Sequence, residues 1–351
     1  MISYNNKENK IIELLLENKE LQSSDIHNKL IEKKEDISLV TVKRMLSEMV
    51  NSGTLVVHGS GRSTSYSLSS LGRIYYNVDS SSYNKKDPDS RKGFDSYNFD
   101  LLSSFNKDLF SKEELNYLSA LTKSYQKKVE ATTLTLQTKE LERITIELSW
   151  KSSKMEGNTY SLLDTERLIL ENKPSEGKTE METQMILNHK NAFSFIYQNR
   201  NSFKEISHQD IENIHRLLVE EMDISYGLRK NPVGISGSKY LPLDNIYQIE
   251  EALKNLLSKV NNIKSPYGKA LLCILGISYI QPFEDGNKRT SRLIADAILL
   301  AYHCAPLSYR SVDEKEYKEA IIVFYELNSI MPFKKIFIEQ YEFAAKNYFI
   351  K

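Results

Sequence analysis

The chain has 351 residues, 40% of them hydrophobic and 27% charged, with 47 basic and 47 acidic side chains and a formal net charge of zero. That length accommodates two domains and a substantial interior, and the charge balance excludes a global field directed at nucleic acid or membrane. Cys273 and Cys304 are the only cysteines and are not in C-x-x-C spacing, which argues against a disulfide framework or zinc site and for a reducing cytoplasm.

Residues 8–51 carry three helical patterns. Ile11, Ile12, Leu15 and Leu16 form an apolar stripe. Ser23-Ser24-Asp25 is expected to cap a second helix carrying Ile26, Leu30 and Ile31. Ser38 is expected to cap a third, with Val42, Met45, Leu46 and Met49 as its buried face and Gly53 at its end. Thr54 to His58 and Ser63 to Leu68 are β-prone runs around the turn Gly59-Ser60-Gly61-Arg62, so they read as a hairpin. Three helices and a hairpin resemble a winged helix-turn-helix over 1–75. That resemblance implies a recognition helix presenting Thr41, Lys43 and Arg44 to DNA, with Arg62 at the wing tip near phosphate. Residues 1–80 hold ten basic and ten acidic side chains, so a protein-contact or dimerisation role, including a homodimer, stays open beside DNA binding.

Residues 76–95 are polar and without periodicity, and read as a linker. From 96 to 351 the pattern is helical with short turns, so the fold class is mainly α. The start of the chain has no apolar h-region. The longest nearly apolar run, Leu271 to Ile280, is about half of the ~20 residues a membrane span needs. No histidine pair has the i, i+4 spacing of a helical metal site.

That apolar run leads into Gln281-Pro282-Phe283-Glu284-Asp285-Gly286-Asn287-Lys288-Arg289-Thr290-Ser291-Arg292, and a second helical pattern leads out. Pro282 and Gly286 break the first helix. Asp285 or Asn287 is expected to cap the second, with Arg289 and Arg292 three apart on one face. Free N–H groups and two guanidinium groups at one place suit phosphate, and Asp285 suits Mg²⁺ bridging it.

These residues resemble the Fic signature, His-Pro-Phe-x-[Asp/Glu]-Gly-Asn-[Gly/Lys]-Arg-x-x-Arg, at every place but the first, where Gln281 stands for the catalytic His. The resemblance implies an all-helical core with a small β-hairpin flap. It implies transfer of AMP from ATP to a Ser, Thr or Tyr hydroxyl of a target protein. The site would consist of Gln281, Asp285, Asn287 and Arg289 for chemistry, Asp285 for Mg²⁺, and Gly286, Asn287, Lys288, Arg289, Thr290, Ser291 and Arg292 for nucleotide. Gln281 hydrogen-bonds but accepts no proton near neutral pH. Lys288 also occurs at this place in the Doc branch, but Doc lacks the second arginine, so Arg292 favours the adenylylation orientation.

Ser152-Ser153-Lys154-Met155-Glu156-Gly157 resembles the family's inhibitory motif, on a helix near 145–157. The resemblance implies that Glu156 pairs with Arg292, supported by Ser152 and Gly157. Residues 227–242 resemble the flap, with Ile235, Ser236, Gly237 and Ser238 bordering the nucleotide. Tyr317 matches a tyrosine near the adenine, while Lys318 and Tyr325 depart from that pattern. Two functions follow as expectations: an auto-inhibited adenylyltransferase attenuated by Gln281, or an inactive ATP-binding, DNA-binding transcriptional regulator.

Overall fold

The computed structural model describes residues 4–105 and 109–349. The N-terminal elements run α1 (Asn6–Asn18), β1 (Glu20–Gln22), α2 (Ser23–Glu32), α3 (Leu39–Asn51), β2 (Leu55–His58) and β3 (Ser65–Leu68). The strands make one antiparallel sheet in the order β1-β3-β2, with Leu55 opposite Leu68 and Leu21 opposite Tyr66. This is the winged helix-turn-helix arrangement. β1 was absent from the sequence expectation because three residues are too few to show a two-residue period. Ser38 caps α3 by accepting from the Thr41 N–H. α2 differs from expectation: it starts at Ser23 with Gln22 at the N-cap and no side-chain cap. The short β1 strand ends at Gln22 and turns directly into the helix.

The buried face of these helices includes Ile11, Ile12, Leu15, Ile26, Leu30, Val42, Leu46 and Met49, and Val323 and Leu327 join the same cluster. Contacts accordingly divide the chain into two units. One is Met1–Asn106, Ile235–Leu241 and Lys318–Lys334; the other is Lys107–Gly234, Pro242–Tyr317 and Lys335–Lys351. The expected linker, 76–95, belongs to the first unit and is structured. Asp79 caps a short helix, Ser80–Asn84, by accepting from the Ser81 and Ser82 N–H groups. Arg91 then lies buried against Glu326, 3.2 Å away. A polar segment gains this order because its charge finds a buried counter-charge that local sequence does not reveal.

The second unit is helical. Among its helices are α4 (Leu134–Lys154), α5 (Glu180–Gln198), α6 (His208–Leu218), α7 (Ile246–Asn262), α8 (Pro266–Ile280) and α9 (Asn287–Ala301). A further helix, α10 (Glu314–Leu327), starts here and continues into the first unit. α8 begins with Pro266 at N1 and Ser265 as the cap, and it is buried on every side from Tyr267 to Ile280. At Gly276 an added Cβ would lie 2.4 Å from a Leu256 methyl, so the missing side chain lets α7 pack closely. α8 and α9 form a hairpin whose short loop, 281–286, is the candidate site.

Residues 227–242 contain no strand, which corrects the expected β-hairpin flap. Pro232 and Pro242 donate no N–H, and Gly237 takes φ +80° in a turn closed by Ser238 N–H to Ile235 O.

Candidate functional site

α8 ends at Gln281, whose backbone is left-handed (φ 51°, ψ 59°) and whose N–H returns to Ile277 O. Pro282 follows and prevents helix continuation. The Gln281 amide is committed at both ends. Its Nε2 donates to Ser278 O at 2.6 Å, and its Oε1 accepts from Asn287 Nδ2 at 3.0 Å. The side of the loop carrying Pro282 is held by buried Arg229. Its backbone N–H donates to Pro282 O (2.9 Å), its Nε to Gln281 O (2.7 Å), and its Nη2 to Leu243 O.

Neither Asp285 nor Asn287 caps α9, contrary to expectation. The N-cap is Gly286 at φ +79°, and no side chain caps it. Asn287 instead turns back into the loop. It accepts from Phe283 N–H and donates to Phe283 O, each at 2.8 Å. As N1 of the helix it is one position too late to cap and well placed to span the loop it closes. The first turn of α9 thus has no side-chain cap.

Arg289 and Arg292 share this helix but face different partners. Arg289 reaches Leu218 O (3.4 Å) and Asp285 Oδ2 (3.0 Å), and its Nε has no hydrogen-bond partner among the described residues. Arg292 is fully buried. Its Nε donates to Ser152 Oγ (2.9 Å), and its Nη2 to Ser152 O (3.0 Å) and Glu156 Oε1 (2.8 Å). Burial works against the Arg292 charge, and Glu156 more than restores it, so its pKa is raised.

Glu156 sits in the turn that ends α4, followed by Gly157 at φ +99°. Its second oxygen meets Lys288 Nζ at 2.6 Å. Burial pushes this carboxyl up, but Arg292 and Lys288 together overcome it and hold the pKa at about 2. One carboxylate therefore bridges two cations of α9. The expected pairing of Glu156 with Arg292 is present in the geometry, and the Lys288 contact was not foreseen.

Two histidines also escaped the sequence reading, for lack of any motif around them. The His215 ring stacks on Phe283, with centroids 3.7 Å apart and planes at 8°, and its Nε2 bonds Asp285 O at 3.0 Å. Burial lowers its pKa to about 4, so at neutral pH the ring is uncharged and donates through Nε2. His189, on α5, is fully buried and has no hydrogen-bond partner among the described residues. Burial, then Arg292 and Arg289, hold its pKa well below the ordinary value.

Asp285, with 64% of its side chain accessible, is an exposed carboxylate of the loop, as is Glu284 before it. No group of three or more His, Cys, Asp or Glu suited to a metal occurs among the described residues. A single carboxylate is an oxygen donor of the kind Mg²⁺ takes alongside phosphate and water. Thr290 and Ser291 are fully buried, and the Ser291 hydroxyl donates to Lys288 O and bonds Ser278 Oγ, tying α9 to α8. Tyr317 is buried beneath Arg292, whose guanidinium carbon lies 5.8 Å from the ring centre.

Ile235, Ser236, Gly237 and Ser238 belong to the other unit. There Gly237 O accepts from Arg91 Nη1 (2.9 Å), and Ser238 Oγ donates to Glu326 (2.7 Å). Tyr325, one residue before Glu326, stacks on Tyr240. In the winged helix, Lys43, Arg44 and Arg62 are exposed. Arg44 lies 3.9 Å from Glu48, and the Thr41 hydroxyl bonds the capping Ser38.

Residues 205–299, which hold α6 through most of α9, match the Fic/DOC family. This stretch is similar to a Fic domain. Residues 5–75 match the penicillinase repressor family. Curated relatives of the Fic region include a protein adenylyltransferase Fic from Nematostella vectensis, 29% identical over 174 residues, covering 48% of this chain and 41% of the relative. Another, from Drosophila ananassae, is 30% identical over 149 residues, covering 42% and 30%. The chain thus spans well under half the length of these relatives. Among solved structures, a Fic-1 fragment from Caenorhabditis elegans aligns with TM-score 0.57 at 20% identity, covering 68% of this chain and 70% of that one. A Fic domain-containing signalling protein from Bacteroides thetaiotaomicron aligns with TM-score 0.54 at 20% identity, covering 68% and 99%. These likenesses establish the Fic fold. No described helix is long and apolar enough to cross a membrane.

Proposed function

We propose that the chain is an auto-inhibited adenylyltransferase of the Fic type, moving AMP from ATP to a Ser, Thr or Tyr hydroxyl of a target protein, with transfer slowed by Gln281. The observation that carries the reading is the 2.8 Å contact of Glu156 with the fully buried Arg292. A guanidinium this deep is expensive to bury without an anion. In the closed state the anion is Glu156, and in the open state a nucleotide phosphate takes its place.

The roles follow from position. The uncapped start of α9 and Arg289 cradle the phosphates. Asp285 would hold Mg²⁺, which supplies charge neutralisation to the phosphates when bound. Asn287, Arg229 and His215 keep the loop in shape. The attacking hydroxyl must lose a proton, and Gln281 has no basic nitrogen to take it. Loss of a general base costs roughly 10²–10⁴ in rate, while positioning and charge stabilisation remain.

Labelling with α-labelled ATP and Mg²⁺ in the presence of cell lysate tests this, comparing the wild type with Glu156→Gly and with Glu156→Gly/Gln281→His. Label transferred to protein with Glu156→Gly supports a braked transferase. Silence of the double variant overturns it.

A second reading is favoured by the repressor-family match and by Lys43 and Arg44, exposed on α3. In it the chain is a DNA-binding regulator whose Fic domain senses ATP without transfer. Double-stranded DNA should then bind with a salt dependence that falls when Lys43 and Arg44 are replaced by alanine. A cytoplasmic setting suits either role.

A further inference from the structure

Glu156 and Lys288 each occupy the unfavourable end of a helix. Glu156 follows the C-terminus of α4, where the backbone dipole already places negative charge. Lys288 is the second residue of α9, where the dipole places positive charge. Neither finds support in its own helix, and they meet each other, Nζ to Oε2 at 2.6 Å, while Arg292 holds the other oxygen of Glu156. Each charge also faces the favourable end of the other's helix, so the contact gives way only to an anion that satisfies Lys288 in Glu156's place.

Geometry says what the exchange partner is. Oε1 and Oε2 belong to one carboxylate, and they meet Arg292 Nη2 at 2.8 Å and Lys288 Nζ at 2.6 Å. The two cations are therefore one small anion apart. A phosphate group has oxygens at comparable spacing, so whichever phosphate displaces Glu156 from Arg292 also meets Lys288. The two cations also differ in freedom. Arg292 has no exposed side-chain surface, while Lys288 is 34% exposed on a flexible stem and can follow the incoming group.

We propose that Lys288 is the exchangeable anchor of the brake: it holds Glu156 when the site is closed, and it takes the phosphate that replaces Glu156 when the site opens. This rests on the nucleotide reading of the loop. It makes Lys288 a positioning residue in one state and a phosphate ligand in the other, so its two effects oppose each other in the wild type and separate once Glu156 is gone.

The test is calorimetry of Mg²⁺-ATP, tripolyphosphate and AMP on the full chain. The proteins are wild type, Glu156→Gly, Lys288→Met and the double variant, with Lys288→Arg as the rescue. In the Glu156→Gly background, Lys288→Met should weaken ATP and tripolyphosphate about three- to tenfold, the range of a half-exposed charge-assisted contact, and leave AMP unchanged. Lys288→Arg should restore most of that loss. In the wild-type background Lys288→Met should weaken ATP by less, or tighten it, because it loosens the brake at the same time. Equal losses in both backgrounds, or none without Glu156, overturn the exchange while leaving the brake intact. Unchanged ATP affinity on Glu156→Gly alone overturns the brake and the exchange together. Thermal melts of each variant separate unfolding from lost contacts.

Discussion

Asn287 Nδ2 donates to Gln281 Oε1 across 3.0 Å, between the residue that follows one buried helix and the first residue of the next. Gln281 is thus part of the frame of the loop. Its other end donates to Ser278 O, and it is only 8% exposed. Gln281 therefore has a structural task in this loop.

Replacing Gln281 tests how far chemistry and structure have parted. In a Glu156→Gly background, Gln281→His should raise transfer to protein hydroxyls by about 10²–10⁴-fold, the usual contribution of a general base. The variant should also be slightly less stable, since the ring nitrogens of an imidazole do not stand where the Gln281 amide meets Ser278 O and Asn287 Nδ2. Label incorporation against time gives the first quantity and urea titration the second. A gain below tenfold would mean the proton is already handled elsewhere.

Asn287→Ala should destabilise the loop more than it disturbs any one contact. It strands Phe283 N–H, Phe283 O and Gln281 Oε1, all buried. Unsatisfied buried groups cost about 1–3 kcal/mol each, and partial relaxation brings the expected total to roughly 3 kcal/mol. Chemical denaturation measures it. A change under about 0.5 kcal/mol, the size of an ordinary surface substitution, would show that the loop is held without Asn287.

Stability should fall on mild acidification, and His215 is one named cause. Its folded pKa of about 4 lies below the ordinary histidine value of 6.5. Between those values the unfolded chain binds the extra proton, so stability is fully present above about pH 6.5 and is lost as pH falls toward 4. The full swing is on the order of 3 kcal/mol. His215→Gln keeps a donor for Asp285 O and removes the titration, so its stability-versus-pH curve should be flatter across that window. A curve parallel to wild type would assign the proton elsewhere. The Glu156 carboxyl works over a different range. Its contribution is present above about 4.5 and is lost only as pH falls toward 2, so the Glu156–Arg292 contact does not titrate near neutral pH.

Arg91→Met should loosen residues 235–239. The Glu326 carboxylate is fully buried and accepts from Arg91, Ser238 Oγ, Lys239 N–H and Tyr83 OH. Removing the arginine leaves that charge uncompensated, at a cost of about 3–5 kcal/mol. Hydrogen exchange at 235–239 should accelerate, while α8 and α9 keep their protection. Exchange that rises uniformly would indicate global destabilisation in place of a local release.

Much of this was legible in the chain itself. The helix–loop–helix around Gln281–Arg292, the three helices and hairpin of the N-terminus, and the Ser152–Glu156 spacing are local patterns, and local patterns follow from backbone periods and turn chemistry that one sequence displays. The partners were not legible. Glu156 reaches Arg292 across 136 residues of chain, and the tie of Lys288 to the same carboxylate depends on how α4 packs beside α9. The capping role expected of Asn287 gave way to loop closure because Gly286 took the N-cap. The linker acquired order from Glu326, and the flap lost its strands to prolines and a glycine turn. A sequence records which groups can bond. Which of several competent groups meet is decided when the helices pack, because burial removes water as the alternative partner and leaves each charge only the neighbours the fold supplies.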